Sequence, residues 1–326
     1  MAAHAPRLNI WAVSDGRTGM EAQAEGLALA VARLRPAEIV IKRIGWKWGL
    51  GRLPTRLNPG LVVTLARGSS VHPPWPDIWI AAGRATLPLS ARVRRLSGGG
   101  TFVVQTQHPR QSTEPFDLVV PPIHDRLTGA NVLPITGSPN RMSPARLAAE
   151  FERFRGTLES LPRPRVAVIV GGKSKAFGLP PERAARMGRE VAEAVTASGG
   201  SVLVSFTRRT PQAARDILRA EWGQLPGAIW DDRGENPYFA FLAAADAILV
   251  TEDSTNLATD AAATGKPVLV LAMEGGSEKF ERFHRDLRER GSARPFAGRL
   301  ESWDYAPLAE TDRAAAELLR RYDARN

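Results

Sequence analysis

Cysteine is absent from this chain, which excludes a disulfide framework and any metal site built on thiolates. Long hydrophobic runs are missing as well. The best candidate, residues 239–250 (FAFLAAADAILV), is interrupted by Asp246 and falls short of the roughly 18 residues that a membrane-spanning helix needs. The opening MAAHAPRLNIWAV runs straight into a strand pattern, with too short an apolar stretch for a secretory leader. The expected location is therefore the cytoplasm, either free or peripheral on the inner face of the cytoplasmic membrane. His72, His108, His124 and His284 are scattered, with no H-x-x-x-H or H-E-x-x-H spacing, so no metal is expected. The G-x-G-x-x-G and G-x-x-x-x-G-K-[ST] loops are also missing, which argues against a standard dinucleotide or NTP site. No cofactor is expected. Ser254 lacks a G-x-S-x-G elbow and has no histidine nearby in sequence, which makes it a poor hydrolase nucleophile.

What is present describes a globular protein. A length of 326 residues suits two domains of about 150 residues each, and 43% apolar with 24% charged residues is ordinary globular composition. The formal charge of +10 is unevenly spread. Residues 1–160 carry 20 Lys and Arg against 11 Asp and Glu, whereas the remainder carries 24 against 23. Since 38 of the 44 basic residues are Arg, a GC-rich coding bias accounts for part of the excess. Its functional reading is attraction to a polyanion: an anionic membrane surface or a phospholipid-linked acceptor. Nucleic acid is not an expected partner, because helix-turn-helix, zinc-finger and RNP-type patterns are absent.

Short β-branched runs alternate with Ala-, Arg- and Leu-rich stretches, the pattern of parallel βαβ units. Strands are predicted at 8–13, 38–44, 77–81, 101–105 and 117–120, with helices at 20–34 and 89–96. Ser143-Pro144 supplies a cap and a first-turn proline for a helix to about residue 158. Two prolines in LPRPR, residues 161–165, then break the chain. The alternation restarts with strands at 166–170, 201–206, 228–230, 247–251 and 267–271, and helices at 181–197 and from Pro211. A last amphipathic helix covers 307–322. The predicted fold class is α/β, with two Rossmann-like domains, residues 1–160 and 161–326, facing a cleft. The C-terminal helix is expected to return to the N-terminal domain.

In open α/β sheets ligands sit beyond the carboxyl ends of the strands, and four strand-to-helix turns are chemically rich. The first, SDGRTGMEAQ, follows the first strand. Gly16 and Gly19 allow close backbone approach, and the helix that follows offers free N–H groups. Asp15 and Glu21 are candidate general bases, and Ser14, Gly16, Arg17, Thr18, Gly19, Gln23 and the loop residue His108 are candidate acceptor contacts. The plainer alternative is that Asp15 caps the helix and Glu21 complements its dipole. The second turn, Gly171, Gly172, Lys173, Ser174, suits a phosphate cradle or a solvated turn. In the third, Thr210 is expected to cap a helix beginning at Pro211, leaving Arg208 and Arg209 as a diphosphate fork. The fourth runs through Glu252, Asp253, Ser254, Thr255 and Asn256 to Asp260. Here Ser254 is the predicted N-cap, its helix facing a phosphate, with Asp260 reaching toward a ribose. Trp46, Lys47, Trp48 and Arg52 interleave in one loop, a composition that suits either buried aromatics or a membrane interface.

The fourth turn, with its G-K-P leading into the next strand, resembles the nucleotide-sugar site of GT-B glycosyltransferases. The whole chain is similar to the elongated-mitochondria (ELM) family of mitochondrial fission proteins and its bacterial relatives. The residues that carry this likeness are SDGRTGMEAQAEGLA (14–28), QTQHPR with FDLVVPPIHDRLTGANVL (105–133), VGGKSKAF (170–177), SFTRRTP (205–211), residues 236–268 and KFERFH (279–284). The plant members imply an adaptor on the mitochondrial surface, and the bacterial relatives imply sugar transfer. The resulting expectation is a metal-independent glycosyltransferase. It would take a nucleoside-diphosphate sugar in the second half and an envelope or lipid-linked acceptor in the first. A UDP-sugar epimerase and a non-catalytic adaptor are the competing expectations.

Overall fold

The computed structural model describes residues 7–53, 55–230 and 232–325. The first unit opens with β1 (Leu8–Ser14), whose residues are buried almost throughout. A strand covered on both faces loses the apolar/polar alternation and reads as a continuous apolar run, as LNIWAVS does. Helix α1 (Thr18–Leu34) turns Ala24, Leu27, Ala28 and Val31 inward. β2 (Ala37–Arg43), β3 (Ile78–Ala81), α2 (Leu87–Leu96), β4 (Phe102–Gln105) and β5 (Leu118–Val119) complete a parallel sheet of order β2-β1-β3-β4-β5. The strand order reverses between β1 and β3, so the loop after β1 lies at a topological switch point.

The second unit begins with α3 (Pro144–Arg153), capped by Ser143 as its sequence predicts, and the short α4 (Arg155–Leu158). The predicted single helix is broken at Phe154, which has left helical geometry. There follow β6 (Arg165–Val170), β7 (Phe177–Gly178), α5 (Pro181–Ala197), β8 (Ser201–Phe206), α6 (Gln212–Trp222) and β9 (Gly227–Ile229). After them come α7 (Tyr238–Ala244), β10 (Ala247–Thr251), α8 (Thr255–Ala262), β11 (Val268–Leu271), β12 (Glu274–Gly275), α9 (Glu278–Glu289) and β13 (Ala293–Pro295). Six strands pair in parallel in the order β13-β11-β10-β6-β8-β9, the doubly wound Rossmann arrangement. One face packs α5 and α6 through Met187, Val191, Leu218 and Trp222. The other packs α7, α8 and α9 through Leu242, Ala258, Ala262 and Phe283.

The division expected at residue 160 lies earlier, and the chain crosses it twice. Residues up to Arg141, with those from Ala309 onward, form the first unit, and Met142–Leu308 form the second. The cause is packing. Leu147, Phe151 and Phe154 lie against the core of the second unit, and the Arg146 guanidinium sits 4.0 Å from the Phe239 ring centre on α7. The return of the C-terminal helix, α10 (Glu310–Arg325), to the first unit is as expected. Its Ala314, Ala315 and Leu318 join the core of the first sheet, and Arg35 grips Asp323 through two bonds of 2.7 and 2.6 Å. Leu318 is fully buried. Leu318→Ala should therefore destabilise the first unit by about 2–5 kcal/mol, read as faster amide hydrogen exchange in α1 and β1 than in the unaltered chain.

Candidate functional site

In the second sheet the strand order reverses between β6 and β10, with α5 leaving to one face and α8 to the other. Crevices of this kind, at the carboxyl ends of strands, are where open α/β sheets bind ligands. Here the two loops are joined by hydrogen bonds. The Gly171 N–H donates to Thr251 Oγ1 at 2.7 Å, and the Gly172 N–H donates to Asp253 Oδ2 at 3.0 Å. The Thr251 hydroxyl donates to Asp253 Oδ1 at 2.7 Å, and Arg209 from the β8 loop pairs with Asp253 Oδ2 at 2.7 Å. The Asp253 side chain is fully buried. The Thr210 hydroxyl donates to the Val170 carbonyl at 2.9 Å, and the Lys173 N–H donates to the Arg209 carbonyl at 3.0 Å.

Glycine is required by these approaches. A Cβ on Gly171 would stand 2.0 Å from Asp253 Oδ1, and one on Gly172 would stand 2.1 Å from the Arg209 carbonyl oxygen. Two expectations are corrected. The cap of α6 is Pro211, and Thr210 instead ties the β8 loop to the end of β6. The Arg209 guanidinium is committed to Asp253, so Arg208 and Arg209 do not form an equivalent fork. Lys173 and Arg208 are exposed at the loop ends. The Ser174 hydroxyl accepts from the N–H groups of Ala176 and Phe177, which leaves its own proton to donate.

Ser254 caps α8, accepting from the Leu257 N–H as predicted, with Thr255 and Asn256 half-buried in the first turn. Asp260 accepts a 2.8 Å hydrogen bond from the Tyr238 hydroxyl at the start of α7. Glu252 points away from Asp253: its Oε1 accepts from the Met273 N–H, and its carbonyl accepts from His284 Nε2 at 2.9 Å. Burial raises the Glu252 carboxyl above its usual range and lowers the His284 imidazole below its own. Burial also brings Lys266, of the G-K-P turn, down to about 8, where its ammonium donates to the Leu242 and Ala243 carbonyls at the end of α7. Thr251, Lys266 and His284 were not among the candidates. A threonine ending a buried strand two residues before an aspartate is the signal that points to the first of them.

In the first unit, Gly16 takes a left-handed conformation (φ +79°), which lets the chain turn sharply after β1. The Asp15 carboxylate accepts from the Arg17 backbone N–H and, at 2.8 Å, from Arg17 Nε. It is not the cap of α1, which is Arg17. Glu21 pairs bidentately with Arg43 at 2.6 and 2.9 Å. That hydrogen-bonded pair, more than any other cause, lowers the Glu21 carboxyl below its usual range and weakens it as a base. Gln23 is buried and accepts from Gln107 Nε2 at 3.1 Å. The His108 Nδ1 accepts from the Arg110 N–H. Ser14 is buried at the strand end, its hydroxyl accepting from the Gly16 N–H, while Thr18 and Gly19 open α1.

Two parallel sheets, each with a glycine-bearing loop at its point of strand reversal, define a protein of two Rossmann-like units in the GT-B-like fold class. The chain belongs to the family described as Mitochondrial fission ELM1, whose profile matches residues 18–322. Mitochondrial fission protein ELM1 of Arabidopsis thaliana is 33% identical over 298 residues, covering 81% of this chain and 68% of that protein. Among solved structures, the UDP-GlcNAc 2-epimerase of Methanocaldococcus jannaschii has a TM-score of 0.56 at 11% identity, covering 96% of this chain and all of that one. The same enzyme in complex with UDP-GlcNAc and UDP has a TM-score of 0.53 at 10% identity, covering 97% and 99%. At identities this low the structural likeness is evidence of shared fold alone.

Replacing Asp253 removes the acceptor for Gly172, Thr251 and Arg209 together. Asp253→Ala should cost about 3 kcal/mol of stability, since it leaves buried donors unpaired. Gly172→Ala should cost about 1–3 kcal/mol through overpacking. Urea unfolding followed by circular dichroism measures both, and a change below about 0.5 kcal/mol in either would contradict the interlock.

Proposed function

We propose that this protein is a glycosyltransferase of GT-B type, moving a sugar from a nucleoside-diphosphate donor to an envelope or lipid-linked acceptor. The observation that carries the reading is the convergence of three hydrogen-bonded loops, after β6, β8 and β10, on one strand reversal. In this reading the diphosphate lies against the N-terminus of α8, with Ser254 and Thr255 beside it and Lys173 and Arg208 reaching from the neighbouring loops. Helix N–H groups and basic side chains neutralise charge as it develops on the leaving diphosphate. Asp260, held by Tyr238, faces the ribose. In the first unit Asp15, held by a single side-chain bond from Arg17 where Glu21 takes two from Arg43, takes the proton from the attacking hydroxyl.

A thermal-shift screen against UDP, GDP, ADP and CMP tests the donor site, because a ligand of the folded state raises the melting temperature. At least one should stabilise the protein. Arg208→Ala should weaken that nucleotide by about 2 kcal/mol, the range of a charge-assisted contact. No binding by the unaltered protein at millimolar concentration in calorimetry would remove the assignment.

Peripheral docking on an anionic membrane accompanies this reading. Residues 39–76 contain six basic residues and no acidic one. In the same stretch Trp48 and Val63 are 79% and 73% exposed, with Leu57 and Leu61 also outward. Lys47 joins the two sides of the loop, its Nζ donating to the Val63 carbonyl at 3.0 Å and lying 5.7 Å from the Trp48 ring. Trp46 anchors the loop from inside, its indole N–H donating to the Ala85 carbonyl. The Arg52 side chain lies outside the described residues. Each basic residue near an anionic surface adds about 1 kcal/mol, screened within a Debye length. Sedimentation with phosphatidylglycerol vesicles should be strong at low salt, fade with added salt, and drop in Trp48→Ala/Val63→Ala. Equal binding to phosphatidylcholine vesicles would defeat the idea.

A further inference from the structure

We propose that a recess beside the β10 loop receives the sugar ring of the donor, and that this sugar is a neutral hexose. The inference rests on the donor-site reading above and names its substrate class. The recess has a volume of about 270 Å³ and lies where the loops after β6, β10 and β11 meet α9. That is below the roughly 300–1,000 Å³ of whole small-molecule pockets, a size for one ring rather than a complete nucleotide sugar. Glu252 forms its wall on the strand side. The recess therefore begins at the residue before Asp253 and two before Ser254, against which the diphosphate is placed.

The lining is that of a hydroxyl-rich ligand with an apolar face. Ser277, Phe280, Glu281 and His284 recur at helical spacing, so they share one side of α9. Phe280 packs edge-on to Phe177 at 5.0 Å between ring centres, giving an aromatic wall. Glu252 Oε1 is occupied by the Met273 N–H, which leaves Oε2 to accept from a ligand hydroxyl. Glu281 is exposed on the recess side and offers a second acceptor. Ser277 is the N-cap of α9 but makes no capping hydrogen bond with its side chain, so its hydroxyl is uncommitted. His284 acts as a positioning residue: 5% exposed, it holds the Glu252 carbonyl through Nε2 and so fixes α9 against the β10 loop.

Glu252, the half-buried carboxylate of the lining, also sets the charge of the occupant. A uronic acid would bring a second carboxylate beside Glu252, which is half-buried where like charge is costly, whereas Glu281 is exposed and screened by solvent. The recess arginines, Arg285 and Arg288, lie further along α9 and are exposed.

Calorimetry tests the assignment by comparing UDP-glucose, UDP-N-acetylglucosamine and GDP-mannose, each against its own diphosphate, with UDP-glucuronate as the acidic counterpart. At least one neutral nucleotide sugar should bind fivefold or more tightly than its diphosphate, and UDP-glucuronate should gain nothing over UDP. Phe280→Ala and Glu281→Gln should each abolish the gain while leaving diphosphate affinity within twofold. If diphosphates bind but no neutral sugar adds affinity, the recess assignment fails and the donor site stands. The same holds if UDP-glucuronate gains as much, or if both variants keep the gain. If no diphosphate binds at all, the donor site and the recess fall together.

Discussion

A buried carboxylate organises the second unit. Asp253 has no exposed side-chain surface, and a charge in that position persists only when it is paired and hydrogen-bonded. Its partners come from three different strand ends: the Gly172 N–H after β6, Arg209 after β8 and Thr251 at the end of β10. The demand for those partners accounts for the paired glycines, because only a bare backbone brings the β6 loop within reach of Asp253 without a clash. It also separates the two neighbouring arginines, leaving Arg208 exposed at the rim and Arg209 bound to the aspartate. A loop held this way is already ordered before a ligand arrives, which lowers the entropy lost on binding.

The first unit meets a similar requirement by weaker means. Its β1 loop is shaped by Gly16 and by ion pairs at the surface, Asp15 with Arg17 and Glu21 with Arg43, in which both arginines are largely solvent-exposed. Exposed pairs of this kind contribute little to stability and are screened by salt. The contrast is between a second unit whose strand-end loops are fixed by a buried charge and a first unit whose loop is held at the surface. Releasing Asp15 from Arg17 costs far less than releasing Asp253 from its three partners.

Much of the fold was legible because buried parallel strands announce themselves as apolar runs, and β6, β8 and β10 lie within a residue of their expected bounds. The helix α7 was harder to see, since FAFLAAADAILV merges a buried helix and a buried strand into one apolar stretch. The strand β13 is three residues long, with two of them exposed, and has no apolar pattern to read. The domain boundary was misplaced because the prolines of LPRPR mark a break in helix, whereas the apolar side of α3 decides which core it joins. In the site, glycines and charges were readable as types but not as partners. Nothing in TRRT distinguishes the arginine that pairs with a buried aspartate from its exposed neighbour.

One distinction within the site was available from strand geometry. Side chains alternate along extended backbone, and the alternation of β10 carries on past its end: Thr251 and Asp253 are buried, while Glu252 between them is only half-buried. Thr251 and Asp253 therefore turn to the β6 loop, and Glu252 turns to Met273 and the recess before α9. Two adjacent carboxylates that look interchangeable in sequence serve opposite sides of one backbone. His284 then takes the carbonyl of Glu252, so the same three residues are held from the β6 side by glycine N–H groups and from the α9 side by an imidazole. A shift of this backbone toward either side would stretch bonds on the other. The loops after β6 and β8 and the recess before α9 are thus coupled through a segment of three residues.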